Sequence, residues 1–196
     1  PYYAHEVAVS HTQRIHLHLR QSGGERAYAH VHPQPAADGS WRFELPAHLK
    51  GVPLRAYVDF TDVRTARTML AEADVTTTAA ASGQAAVARN RIVELTASTT
   101  QTGSSAMIRL QLAGPAGKTL RLKPIMGSLG HAVVFSVDRP EAGYAHMHPT
   151  LEGGEYADNP TLAFRLRLPA PGTYDFWLNL NDGQEELLRT TLVVTP

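Results

Sequence analysis

The 196 residues balance 18 Lys plus Arg against 18 Asp plus Glu, which leaves no basic field for a phosphate backbone and argues against nucleic acid as a partner. Cysteine is absent, so a disulfide framework, a thiolate zinc site and the His₂Cys blue-copper arrangement are excluded. No apolar run reaches the roughly 18 residues of a membrane-spanning helix. Histidine, with ten residues, is the compositional outlier.

Taken in chain order, alternating segments predict strands at Glu6–Ser10, Arg14–Arg20, Trp41–Leu45, Leu54–Phe60, Met107–Leu112, Thr119–Leu122, Ala132–Val137, Thr161–Leu168, Thr173–Leu180 and Leu187–Val194. The breaks fall at Gly and Pro, as in Pro115-Ala116-Gly117 and Pro169-Ala170-Pro171-Gly172. Thr65–Ala73 carries the one weak helical signal, through Met69 and Leu70. The fold class is all-β, with two tandem Ig-like or cupredoxin-like β-sandwiches as the expected architecture.

An internal repeat supports the division. Tyr28-Ala29-His30-Val31-His32-Pro33 and Tyr144-Ala145-His146-Met147-His148-Pro149 agree at five of six positions. Tyr57-Val58-Asp59-Phe60 echoes Trp177-Leu178-Asn179-Leu180, and Phe43-Glu44-Leu45-Pro46 echoes Leu166-Arg167-Leu168-Pro169. The small polar stretch Thr76–Gln84 reads as a linker. The domains are therefore expected at 1–76 and 91–196, with 77–90 between them. Strands precede His131 for which the first half has no room, so the first domain is expected to be incomplete at its N-terminus or to borrow a strand.

Alternate residues of a strand share a face, so the two imidazoles of each His-x-His emerge together while Val31 or Met147 points to the other side. A further histidine, His16 or His131, precedes each triplet by 14 or 15 residues. In Arg14–Arg20, Ile15, Leu17 and Leu19 take the core face and His16 and His18 the opposite one. Pairing of that strand with the His30 strand would gather up to four imidazoles on one sheet face. By parity His131 shares a face with Val133 and Phe135, which predicts a more buried ring than that of His16. The candidate metal ligands are His16, His30, His32, His131, His146 and His148. His11 is a further candidate for the first site; His5 and His48 read as ordinary surface or loop residues.

Asp59 reads equally as a ligand, as a partner of a ligand N–H, or as structural, and Asn179 replaces it in the second half. Tyr28 and Tyr144 are placed on the histidine side by parity. Trp41, Trp177, Phe43, Phe164 and Phe176 are assigned to core or interface packing. An imidazole site without thiolate ranks copper first and zinc second. No His-Glu-x-x-His spacing supports a zinc hydrolase.

The stretches His11–Leu17, Ala29–Pro33, Tyr57–Phe60, Leu129–His131, Ala145–Pro149 and Pro171–Tyr174 resemble a group of secreted bacterial tandem β-sandwich proteins, each half of which carries a His-x-His-Pro element. The triplets with His16 or His131 also resemble the copper ligand pattern of copper superoxide dismutases. The chain departs from those enzymes in having no disulfide, no glycine-rich surround to the triplet and no identifiable active-site arginine. The resemblances imply a secreted or cell-envelope copper protein with superoxide dismutase-like activity. The alternatives are a copper or zinc carrier and a structural subunit of an envelope or surface-layer complex. The thiol-free composition suits an oxidising compartment. The start at Pro1, without Met or a signal-like stretch, reads as that of a processed product.

Overall fold

The computed structural model describes residues 3–23, 27–77, 92–97, 101–114, 118–139, 144–153 and 157–196. The chain divides into two compact units, Pro1–Val87 and Ala88–Pro196. The expected linker falls at this division, and all of it beyond Thr77 lies outside the described residues. The architecture is all-β; short 3-10 turns occur at Ala4–Glu6 and Ala47–Leu49. No helix among the described residues is long and apolar enough to cross a membrane.

The first unit holds β1 (Val7–Ala8), β2 (Ile15–Gln21), β3 (Tyr28–Val31), β4 (Gln34–Pro35), β5 (Trp41–Arg42), β6 (Leu54–Asp62) and β7 (Arg67–Val75). The main sheet runs β3-β2-β6-β7, with β1 pairing onto the end of β6; β4 and β5 form a separate two-stranded ribbon. All contacts are antiparallel, as short connections require.

The second unit holds β8 (Ile92–Ala97), β9 (Ser105–Leu112), β10 (His131–Ser136), β11 (Tyr144–Met147), β12 (Thr150–Glu152), β13 (Thr161–Arg167), β14 (Gly172–Asn181) and β15 (Glu185–Val194). One sheet is ordered β11-β10-β14-β15 and the other β12-β13-β9-β8. Their inner faces supply a single core that includes Ile108, Leu110, Phe164, Phe176 and Leu188, all with 0% exposure. Phe164 and Phe176 meet edge to face at 5.3 Å, joining one sheet to the other. Gly130 allows this approach, because a Cβ there would stand 3.2 Å from Leu178 and 3.5 Å from Leu162. This unit is a β-sandwich.

Order and register match between the units. β3, β2, β6 and β7 correspond to β11, β10, β14 and β15, and the ribbon β4-β5 corresponds to β12-β13. Among the described residues the first unit has no counterpart of β8 and β9.

Four expectations are corrected. Thr65–Ala73 is no helix: β7 pairs with β6 at every position from Arg67 to Val75, and Arg55 on β6 bridges Glu72 and Asp74 across that pair. Hairpin pairing outweighs a weak local periodicity. Thr119–Leu122 forms no strand, because Leu120 exchanges hydrogen bonds with Asn159, its N–H donating to Oδ1 and its carbonyl accepting from the Asn159 N–H. Glu6–Ser10 and Trp41–Leu45 shorten to β1 and β5. Phe43, assigned to core or interface packing, is 43% exposed and lies outside the core clusters.

Candidate metal centre

β2 places Leu17 and Leu19 in the first unit's core cluster and turns His16 and His18 to the opposite face. β3 then sets His30 directly across from His18, while Val31 packs on the core side as its parity requires. The strand ends at Val31, so His32 lies one residue beyond it, and Pro33, which has no N–H to continue the ladder, leads the chain into the ribbon. The second unit repeats this: His146 lies on β11, Met147 packs against the core, His148 is one residue past the strand, and Pro149 turns the chain to the other sheet. The His-x-His-Pro element is thus a strand end and the crossover that follows it.

Two histidine triads result, His16–His30–His32 and His131–His146–His148, each with one nitrogen per ring within 4.8 Å of the others. All six candidate ligands are brought into these two groups. Nδ1 of His16 lies 3.2 Å from Nε2 of His30. Nδ1 of His131 lies 2.9 Å from Nε2 of His148 and 3.5 Å from Nε2 of His146. Three imidazoles bonded at about 2.0–2.1 Å to one ion, at tetrahedral to trigonal angles, hold their nitrogens about 3.3–3.6 Å apart. The separations of 2.9, 3.2 and 3.5 Å lie at or below that spacing, and the remaining ligand atoms lie within 4.8 Å.

The orientation of the first ring in each triad is fixed from behind. Nε2 of His16 lies 3.1 Å from the Ser10 carbonyl and Nε2 of His131 lies 2.9 Å from the Ile125 carbonyl. A carbonyl only accepts, so each Nε2 carries the proton and each Nδ1 presents its lone pair to the other two rings. Both carbonyls belong to tight turns closed by reciprocal backbone hydrogen bonds, Ser10 with Gln13 and Ile125 with Ser128. The central residues of both turns have positive φ: 49° and 68° at His11 and Thr12, 49° and 77° at Met126 and Gly127. This partner of the ligand escaped the sequence reading; its only trace is the common spacing of six residues from turn to histidine. His11 is consequently a turn residue, with its ring 6.2 Å from that of His16, and is not among the clustered ligands.

Burial also departs from expectation. His16 is 1% exposed and His131 2%, so the two are equally buried, and His18 is fully buried. His18 is oriented by Tyr28 and Asp59. Burial, with Asp59 adding to it, pushes the Tyr28 phenol well above its ordinary range, so the phenol keeps its proton, and its oxygen is hydrogen-bonded with Nδ1 of His18 at 2.8 Å. Nε2 of His18 faces Asp59 Oδ2 at 3.4 Å, and the His18 ring stacks on His30 at 4.4 Å. The second unit has Val133 for His18 and Asn179 for Asp59, and Tyr144 stacks on Phe135 instead. The first triad therefore has a polar row beside it where the second has an apolar one.

Arg20, two positions beyond His18 on the same face, is buried at 8% exposure. It is a buried arginine on the sheet face that carries His16 and His18, which the spacing of the histidines did not reveal. In the second unit Arg189 binds the fully buried Asp175 at 2.8 Å and lies 5.5 Å over the Trp177 ring. His48 is tied by Nε2 to the Tyr28 carbonyl at 3.2 Å, and His5 stacks on Tyr3; neither joins a triad.

Residues 86–195 match the family model described as "Domain of unknown function (DUF8832)". The chain belongs to this family. The match coincides with the second unit and spans its triad, the Ile125 turn and both sheets. No curated protein matches the chain.

Proposed function

We propose that the protein binds copper at its histidine triads, with zinc as the second choice, and that it works in the cell envelope or outside it. The observation that carries this reading is the repeated lone-pair geometry. In two places a backbone carbonyl fixes one ring so that Nδ1 faces two further imidazoles at near-coordination spacing. Imidazole ligands without thiolate favour Cu²⁺ over the other first-row divalent ions.

Each triad gathers three imidazoles among the described residues, which leaves a coordination position for a small ligand. This supports superoxide dismutase-like activity, in which two superoxide ions and two protons give dioxygen and hydrogen peroxide. Bound copper supplies the one-electron couple that zinc lacks. The chain's residues hold the imidazoles in one tautomer, limit solvent around His16 and His131, and place Arg20 on the face of the first triad. A non-catalytic carrier is the second reading, favoured by the difference between the polar surround of the first triad and the apolar surround of the second.

The deciding measurement is metal content per chain in protein purified without added metal or chelator. It is compared with a His30→Ala/His32→Ala variant and a His146→Ala/His148→Ala variant. Loss of one copper in each variant supports two sites. Copper-loaded protein that removes superoxide no faster than a copper-loaded histidine peptide would leave the carrier reading, and absence of both copper and zinc would overturn the metal assignment. An envelope or surface-layer structural role would then lead.

A further inference from the structure

Beside its triad the first unit carries a second group of ligand side chains. His18 is fully buried and Asp59 is 8% exposed; they stand on the neighbouring strands β2 and β6, with Nε2 of His18 3.4 Å from Oδ2 of Asp59. That separation is long for a charge-assisted N–H···O contact, which runs at about 2.7–2.9 Å. It falls within the about 3.0–3.5 Å that separates a nitrogen and an oxygen bonded to one ion at about 2.0–2.2 Å. The other nitrogen of His18, Nδ1, is held by the Tyr28 hydroxyl at 2.8 Å. Tyr28 thus stands behind His18 as the Ser10 carbonyl stands behind His16, and Nε2 is aimed at the carboxylate.

His30 links this pair to the triad. It lies directly across from His18, the two rings stack at 4.4 Å, and a ligand nitrogen of each lies within 4.8 Å of the other. Nε2 of His30 is also 3.2 Å from Nδ1 of His16. One imidazole therefore borders two ligand sets, an outer one with His16 and His32 and an inner one with His18 and Asp59. His30 and His32 are half-buried whereas His18 is closed off, so an ion reaches the inner set by way of His30.

We propose that His18, Asp59 and His30 form an inner binding station for a divalent cation, occupied in alternation with the triad. The inference rests on the reading of the first triad as a metal site. Two dications on adjacent stations that share an imidazole repel strongly in a buried setting, so the unit takes one ion at a time. The stations differ in charge. The triad offers three neutral rings, while the inner station offers two rings and a carboxylate, which favours Cu²⁺ or Zn²⁺ over Cu⁺. Cu⁺ is therefore held at the triad and Cu²⁺ at the inner station. The second unit, with Val133 and Asn179 at the positions of His18 and Asp59, provides neither the imidazole nor the carboxylate.

The test uses the whole chain carrying His146→Ala and His148→Ala, so that the first unit is read, with Cu²⁺ as the probe in chelator competition and electron paramagnetic resonance. Adding His16→Ala and His32→Ala is expected to leave one Cu²⁺ per chain, with nitrogen couplings from two imidazoles. In the chain that keeps the first triad, His18→Val should lower Cu²⁺ affinity about tenfold or more and leave Cu⁺ affinity unchanged. Valine is the second unit's residue at this position, so that variant retains the sheet, which circular dichroism and the unfolding midpoint verify. Undiminished Cu²⁺ affinity in His18→Val, or equal loss of Cu⁺ and Cu²⁺, overturns the inner station and leaves the triad assignment standing. Loss of all Cu²⁺ on removal of His16 and His32, in a chain that keeps its unfolding midpoint, does the same. Two Cu²⁺ held at once by the first unit overturn the alternation. A parent chain, changed only at His146 and His148, that binds no Cu²⁺ overturns the triad reading and the station together.

Discussion

Asp59 and Asn179 occupy one register position in equivalent strands, each directly across from the buried histidine that heads its triad, His16 or His131. The exchange puts a carboxylate where the other unit has a neutral amide of nearly the same shape. A negative group close to a cation site favours the higher metal charge. Asp59→Asn is expected to lower Cu²⁺ affinity at the first triad about tenfold, the low end for loss of an outer partner. Asn179→Asp should raise it at the second. Chelator-competition titrations in the two double-alanine backgrounds isolate each triad; unchanged affinity in both cases would remove Asp59 from the site's electrostatics.

The turns behind the triads differ in strain. Gly127 sits at φ 77° with no heavy atom near a Cβ position, so Gly127→Ala meets a conformational penalty alone, about 1 kcal/mol. Thr12 takes φ 68° with a β-branched side chain, and Thr12→Gly should stabilise by about 0.5–1 kcal/mol after the added flexibility of glycine is counted. Urea unfolding of the two variants should show opposite shifts of midpoint at equal slope.

Phe164 and Phe43 share a register position and differ in cover. Phe164→Ala opens a cavity in a closed core and should cost about 3–5 kcal/mol. Phe43→Ala removes a side chain that is 43% exposed and should cost less than about 1 kcal/mol. Comparable losses from the two changes in chemical denaturation would mean that the first unit is as closed as the second.

Acid sensitivity has a local source at the β6–β7 hairpin. The Asp62 carboxylate accepts the Arg64 N–H at 2.9 Å, and this hydrogen bond, with the Arg64 guanidinium beside it, holds the carboxyl below its ordinary range. A folded-state value below the unfolded one gives stability that is complete above the unfolded value of about 3.9 and is lost as pH falls through the lower, folded value. Asp62→Asn should therefore lower stability at pH 6 and flatten its dependence between about pH 5 and 2. Urea midpoints taken across that range, wild type against variant, show whether the difference narrows on acidification.

Most of the sheet strands and the clustering of the six histidines were legible because alternation and duplication are properties of residue identity. Ile15-His16-Leu17-His18-Leu19 alternates cleanly, and the repeat of Ala-His-x-His-Pro preserves spacing through Val31 and Met147. The partners of the ligands were less legible. Ser10 and Ile125 act through backbone carbonyls, which no side-chain pattern encodes. The depth of His16 escaped parity because β2 is buried on both faces, at 7% for Ile15 and 1% for His16. β7 was hidden because its residues are mostly exposed and its strand state comes from β6.

The two turns that aim the triads have no central residue in common: His11 and Thr12 in one, Met126 and Gly127 in the other. Their contribution is a backbone shape and the direction of one carbonyl. Substitution can therefore erase all sequence likeness at these turns while the ring behind them stays aimed, provided that the replacements tolerate the left-handed conformation. A search for relatives that scores amino-acid identity would discard the turns as noise. A search for a left-handed pair ending four residues before a strand histidine would retain them.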